Sequence, residues 1–169
     1  MTDAQNAPNN QSSQPVFSIE KVYVKDLSLE VPNAPQVFLE RDAPTVDIQL
    51  HHNSTRVEDG VYQTVLTVTV TAKVKDKTMF LVEAAQAGIF VARNIPPQEL
   101  EPVLAIACPN ILFPYVREVI SEAVVRAGFP PVILNPVNFE AIYQSQRDSQ
   151  PAQQAADQPV QIIMPPLAH

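Results

Sequence analysis

Residues 61–74 read VYQTVLTVTVTAKV. Tyr62, Leu66, Val68, Val70, Ala72 and Val74 alternate with Gln63, Thr67, Thr69, Thr71 and Lys73. A period of two, rich in β-branched residues, is the pattern of a strand with one buried and one polar face. The residues after it, KVKDKT, supply a turn, and MFLVEAAQAGIFVA (79–92) reads as the returning strand of a hairpin. This second strand is apolar on both faces, with Phe80, Val82 and Ala84 on one and Leu81 and Ala85 on the other. Its Gly88 marks a bulge or the close approach of other atoms.

Upstream, Val16–Val31 forms a third long strand. Phe17, Ile19, Tyr23, Leu27, Leu29 and Val31 fall on one side, and Ser18, Glu20, Asp26, Ser28 and Glu30 on the other. VDIQL (46–50) is a fourth, reached through PNAPQVFLERDAP (32–44), whose three prolines forbid a tight hairpin and require a crossover loop. Past Pro97 the spacing becomes helical. Residues 98–107 form one helical segment, Pro109 breaks or kinks it, and Asn110 caps a longer helix that tolerates Pro114 in its first turn. That helix carries Leu112, Val116, Val119, Ile120, Ala123, Val124 and Ala127, and Gly128 ends it. A short last helix fits VNFEAIYQSQ from Val137. Strands followed by helices predict an α+β fold, a four-stranded antiparallel sheet with two helices packed on one face. The ordered domain is expected to run from 16 to 143. Residues 1–15 and 144–169 are expected to be disordered tails rich in Asn, Gln, Ser and Pro, the second ending in the short apolar stretch VQIIMPPLAH.

Composition narrows the function. A chain of 169 residues suits one domain. Net charge is −7 with a pI near 4.8, a field that repels nucleic acid and anionic lipid and favours basic partners. Three glycines against seventeen prolines leave little material for a phosphate-binding loop. The N-terminus has no basic and apolar leader, no run of 18 or more apolar residues occurs, and the lone Cys108 fits a reducing compartment. A cytoplasmic protein without direct membrane insertion is expected. No nucleophile elbow, phosphate loop or CxxC pair is present. His51 and His52 are adjacent on a strand, so they point to opposite faces and do not chelate one metal. Cys108, among apolar neighbours, is read as a packed thiol. No enzyme activity, cofactor or metal is expected. What does stand out is acidic: Asp26 and Glu30 share a strand face, and Glu83 shares one with Leu81.

The stretches YVKDLSLEVPNAP (23–35), VLTVTVTA (65–72), AGIF (87–90), CPNILFPYVRE (108–118) and PVNFEAIY (136–143) together resemble SecB, the bacterial protein-export chaperone family. The resemblance implies the four-stranded sheet with a crossover between its first two strands, and assembly as a dimer of dimers. It also implies ATP-independent holding of unfolded precursor proteins and delivery to the SecA translocation ATPase. Carried over position by position, it puts SecA docking on Asp26, Glu30, Leu81 and Glu83, with a basic, zinc-holding SecA tail as the partner. It suggests a client groove at Phe38, Val46, Ile48, Leu50, Phe139, Ile142 and Tyr143. Phe80, Val82, Ala84, Cys108, Leu112 and Val116 are expected at subunit interfaces. A tryptophan often seen in the family's crossover loop is Ala43 here. A SecB-like chaperone serving a toxin–antitoxin system is the alternative within the family, and a small-ligand-binding α+β domain is the alternative outside it.

Overall fold

The computed structural model describes residues 14–149 and the backbone of residues 160–162. Four long strands, β1 (Val16–Glu30), β2 (Thr45–Glu58), β3 (Val61–Val74) and β4 (Lys77–Arg93), form an antiparallel sheet in the order β1-β4-β3-β2. The turns at Asp59–Gly60 and Lys75–Asp76 are two residues long, which locks β2, β3 and β4 into a meander. The crossover then has to carry the chain from the β1 side of the sheet to the β2 side, as the prolines of 32–44 require. It rests on the β3–β4 turn: Asn33 Nδ2 donates to the Thr78 carbonyl at 2.9 Å, and Lys75 and Lys77 pair with Asp42 and Glu40 at 2.8 and 3.4 Å.

One sheet face is largely apolar because of the register across β3 and β4: Val68 lies opposite Ala84, Val70 opposite Val82 and Ala72 opposite Phe80, while Leu66 faces the buried polar Gln86. On β2, Ile48 and Leu50 continue the same face beside Val70 and Val68. Against it lies a continuous helical run from Pro97 to Arg126, made of α1 (Pro97–Pro102), a π turn (Val103–Ala107) and α2 (Cys108–Arg126). Cys108, Leu112, Val116, Ile120 and Val124 recur every fourth residue and are fully buried on the sheet. Each large side chain so buried contributes about 1.5–3 kcal/mol. This run is long and apolar enough to cross a membrane by length and composition. Its inner stripe is instead occupied by the sheet.

Pro109 neither breaks the helix nor makes Asn110 a cap, contrary to the sequence expectation. Pro109 lacks the N–H of a regular turn, and the π turn before it widens the spiral so that Cys108 N–H donates to Val103 O, five residues back. The helix ends where predicted. Gly128 takes φ +90°, Gly128 N–H donates to Val125 O at 3.0 Å, and Phe129 N–H to Val124 O at 3.2 Å, a Schellman ending. Gly88 is likewise explained. It faces α2, and a Cβ there would sit 2.6 Å from the Phe90 ring and 3.0 Å from Leu112 Cδ2. The last helix, α3 (Phe139–Asp148), starts at Asn138, whose side chain accepts the Ala141 N–H at 3.0 Å.

Three expectations need correction. Phe80, Val82, Ala84, Cys108, Leu112 and Val116 are not interface residues but the chain's own core, and side chains this buried in one chain have no surface left for another. The apolar residues that stay open lie on β1: Phe17, Ile19, Val24, Leu27 and Leu29 are 38 to 48% exposed. Ordered structure also runs past Tyr143 to the end of α3. Finally, a short fifth strand, β5 (Val160–Ile162), pairs with β2 inside the stretch expected to be a disordered tail. The expected tails at 1–13, 150–159 and 163–169 lie outside the described residues.

Candidate functional site

The sheet face turned away from the helices is polar. Ser28, Glu83 and Thr69 lie side by side across β1, β4 and β3, and Thr69 Oγ1 donates to Glu83 Oε2 at 2.7 Å. Glu30 pairs with Leu81, and Asp26 with Ala85. Asp26, Glu30, Leu81 and Glu83 therefore fall on one face of two neighbouring strands, as the alternation predicted. Asp26 and Glu30 are exposed and, among the described residues, form no ion pair; Leu81 and Glu83 are half-buried. Strand geometry puts Asp26 and Glu30 roughly 13 Å apart, each about 8 Å from Glu83. At that spacing in water each repulsion costs only about 0.5 kcal/mol, so three carboxylates can share the face cheaply. The nearby Lys25 ammonium is directed to Gln63 Oε1 at 2.9 Å, and Gln63 Nε2 donates to Tyr23 Oη at 2.8 Å. These polar side chains bridge β1 and β3 over the buried Ala87.

A second set of candidates lies on the helix side: Val46 and Ile48 of β2 and Ile142 and Tyr143 of α3 are half-buried, α3 meets β2 through Phe139 at His52, and Arg147 lies 5.7 Å over the Tyr143 ring. Phe38, in a short 3₁₀ turn of the crossover loop (Gln36–Leu39), is 46% exposed and stacks on Phe129 at 5.2 Å. Leu50 and Phe139 are 3% and 1% exposed, so they belong to the core beneath the groove and do not line it. Phe139 is wedged edge-on between Phe113 at 6.1 Å and His52 at 6.3 Å.

His52 was not singled out by the sequence for this position. Burial lowers its pKa first, and the neighbouring His51 lowers it further. His51 pairs with Thr67 and His52 with Leu66, so the two imidazoles leave opposite faces as expected. Among the described residues no cluster of His, Cys, Asp or Glu fits a metal ion. The Cys108 thiol hydrogen-bonds Thr64, yet burial dominates and pushes it up to about 11, which keeps it protonated and unreactive. Two surface depressions are formed by the described residues around α1 and α2. One of about 390 Å³ is lined by His52, Asn53, Ser54, Pro97, Leu100, Glu101, Leu104 and Ala105. Another of about 540 Å³ spans the outer side of α2 from Pro114 to Val125 and reaches Ile133.

β2 also carries the second thing the sequence reading missed. Its outer edge pairs antiparallel with β5, Ile48 opposite Ile162, Gln49 opposite Gln161 and Leu50 opposite Val160. The signal was present in VQII, a short β-forming run that follows the polar residues 149–159.

An open sheet with an acidic face and an apolar stripe left uncovered on its edge strand defines a protein built to meet other polypeptides. The sequence profile of preprotein translocase subunit SecB matches residues 10–150, and the chain belongs to the SecB family. It is 63% identical over 150 residues to the protein-export protein SecB of Nitrosospira multiformis, covering 89% of this chain and 94% of that one. It is 61% identical over 151 residues to the SecB of Dechloromonas aromatica, covering 89% and 99%. Among solved structures, the Mycobacterium tuberculosis Rv1957 SecB-like chaperone, in complex with a ChAD peptide from the HigA1 antitoxin, shares the fold. Its TM-score is 0.60 at 16% identity, over 72% of this chain and 90% of that one.

Proposed function

We infer that this chain is a chaperone of protein export that holds unfolded precursor proteins without ATP and hands them to the SecA ATPase in the cytoplasm. The observation that carries the reading is identity of about 60% along most of the chain to protein-export proteins SecB. The physical layout supports it. Clients are bound by Phe38, Val46, Ile48, Ile142 and Tyr143 and along the β2 edge, where apolar burial and main-chain hydrogen bonding are both indifferent to side-chain sequence. Asp26, Glu30, Leu81 and Glu83 form the docking face for a Lys- and Arg-rich partner, the SecA tail. No zinc is asked of this chain, since the metal belongs to that partner.

Self-association follows the β1 surface and not the six buried residues named above. The stripe from Phe17 to Leu29 and the free edge of β1 suit a second copy, and a dimer of dimers of the 18.6 kDa chain links several weak client sites by effective concentration. The antitoxin-linked alternative has support only at the level of fold. The functional test is suppression of aggregation. A chemically unfolded precursor diluted into buffer without nucleotide should stay soluble at a stoichiometric amount of assembled chaperone, and precipitation at the same rate with and without the protein would refute the reading.

A further inference from the structure

We propose that Val160–Ile162 is a tethered occupant of the client edge of β2, a strand of the chain's own tail that lies where an extended client segment would pair and that the client must displace. The proposal rests on the reading that client backbone is held along this edge. Thr45–Glu58 pairs with β3 along its inner side, so without a covering strand its outer side would present a long row of free N–H and C=O groups. Among the described residues, β5 covers that row opposite Ile48, Gln49 and Leu50. Of the residues proposed to hold clients, Ile48 lies within this span and Val46 two residues before it on the same strand. The pairing is short, and a client pairing along more of β2 makes more hydrogen bonds than the tail does. The tail strand is therefore placed to keep the edge covered when idle and to yield when a client arrives.

The residues before β5, 149–159, read SQPAQQAADQP and carry no large apolar side chain. Because β5 belongs to the same chain as β2, its pairing is intramolecular and competes at an effective concentration that a free peptide lacks. A competitor occupying the edge half to nine-tenths of the time weakens apparent client affinity about two- to tenfold.

The test uses the full chain carrying Gln161→Pro and Ile162→Pro, which removes two N–H donors from the tail strand and leaves the domain untouched. Binding of fluorescein-labelled, reduced and carboxamidomethylated α-lactalbumin, a permanently unfolded protein, is followed by anisotropy. Amide hydrogen exchange over residues 48–50 is measured without client. The expected result is a Kd about two- to tenfold lower for the variant and faster exchange at 48–50. A peptide of residues 157–165 at millimolar concentration should restore the weaker binding. Equal Kd values for variant and parent, or tighter binding by the parent, overturn the inference while leaving the holding function intact. Failure of both proteins to bind the unfolded probe overturns the functional reading itself and this inference with it.

Discussion

Val82→Asp and Leu27→Asp separate core from assembly surface. Val82 is fully buried, opposite Val70 and on the sheet face covered by Leu112, Val116 and Ile120 of α2. Losing its burial removes about 1.5–3 kcal/mol. A carboxylate there has no cation on the facing helix stripe, and burying it unpaired costs several kcal/mol more. The sum is comparable with the whole stability of a domain of this size, about 5–15 kcal/mol. V82D should therefore fail to fold. Leu27 is 47% exposed on β1, so in a single chain the same change should cost within about 1 kcal/mol. If β1 meets another copy, L27D places an unpaired charge in that contact and splits the assembly into folded smaller units. Circular dichroism melting with static light scattering on both variants is the assay. A folded, dissociated V82D together with a fully assembled L27D would refute the reasoning.

Other outcomes follow from the same packing. Gly88→Ala pushes a methyl against the Phe90 ring and Leu112, which should destabilise by about 1–3 kcal/mol and lower the melting temperature; a variant as stable as the parent would mean that the ring moves aside at no cost. Because burial lowers the pKa of His52 in the fold, the unfolded chain takes up this proton first as pH falls. Its contribution to stability is present above pH ~6.5 and is lost below it, so the difference in urea midpoint between parent and His52→Gln should change between pH 7.5 and 5.5. Cys108 runs the other way. With its thiol raised to about 11, the unfolded chain loses the proton first, and stability falls as pH rises from about 9 towards about 11, by up to ~1.4 kcal/mol per unit; Cys108→Ala should remove that slope.

The fold was legible because its signals are local. Alternation in 61–74 and 79–92 fixed β3, β4 and the face to which each residue belongs, and the prolines of 32–44 excluded a hairpin before the sheet order was known. The acidic face followed from the same alternation, since Asp26, Glu30 and Glu83 need only a parity and a pairing to come together. What failed was non-local. Whether Val82 and Leu112 meet each other or a second chain depends on where α2 lies, and residues apolar on two sides of a strand carry no label for either. The helix through Pro109 depended on a π turn that no residue pattern in 103–107 announces. The two β1 irregularities, after Ile19 and after Val24, shift the strand's parity, which moves Val22 and Val24 to the helix side and Tyr23 to the polar side. Strict alternation across Val16–Val31 had put Tyr23 with Leu27 and Leu29. β5 is too short for periodicity to find, and only the free edge of β2 gives it meaning.

The central claim is that one protein holds clients on one part of its surface and docks SecA on another. Calorimetric titration of the parent and of Glu83→Lys with the SecA tail tests it most directly, in low salt and in physiological salt, with client-aggregation suppression measured on the same samples. Glu83 contributes one hydrogen bond to Thr69 and no ion pair among the described residues, so its reversal should leave fold and client holding nearly unchanged. Reversing the middle charge of the acidic face should weaken SecA binding at least tenfold, more than Asp26→Ala with Glu30→Ala does, and the parent's affinity should fall as salt rises. Undiminished SecA binding by Glu83→Lys at physiological salt, or loss of client holding in step with SecA binding, would contradict the account.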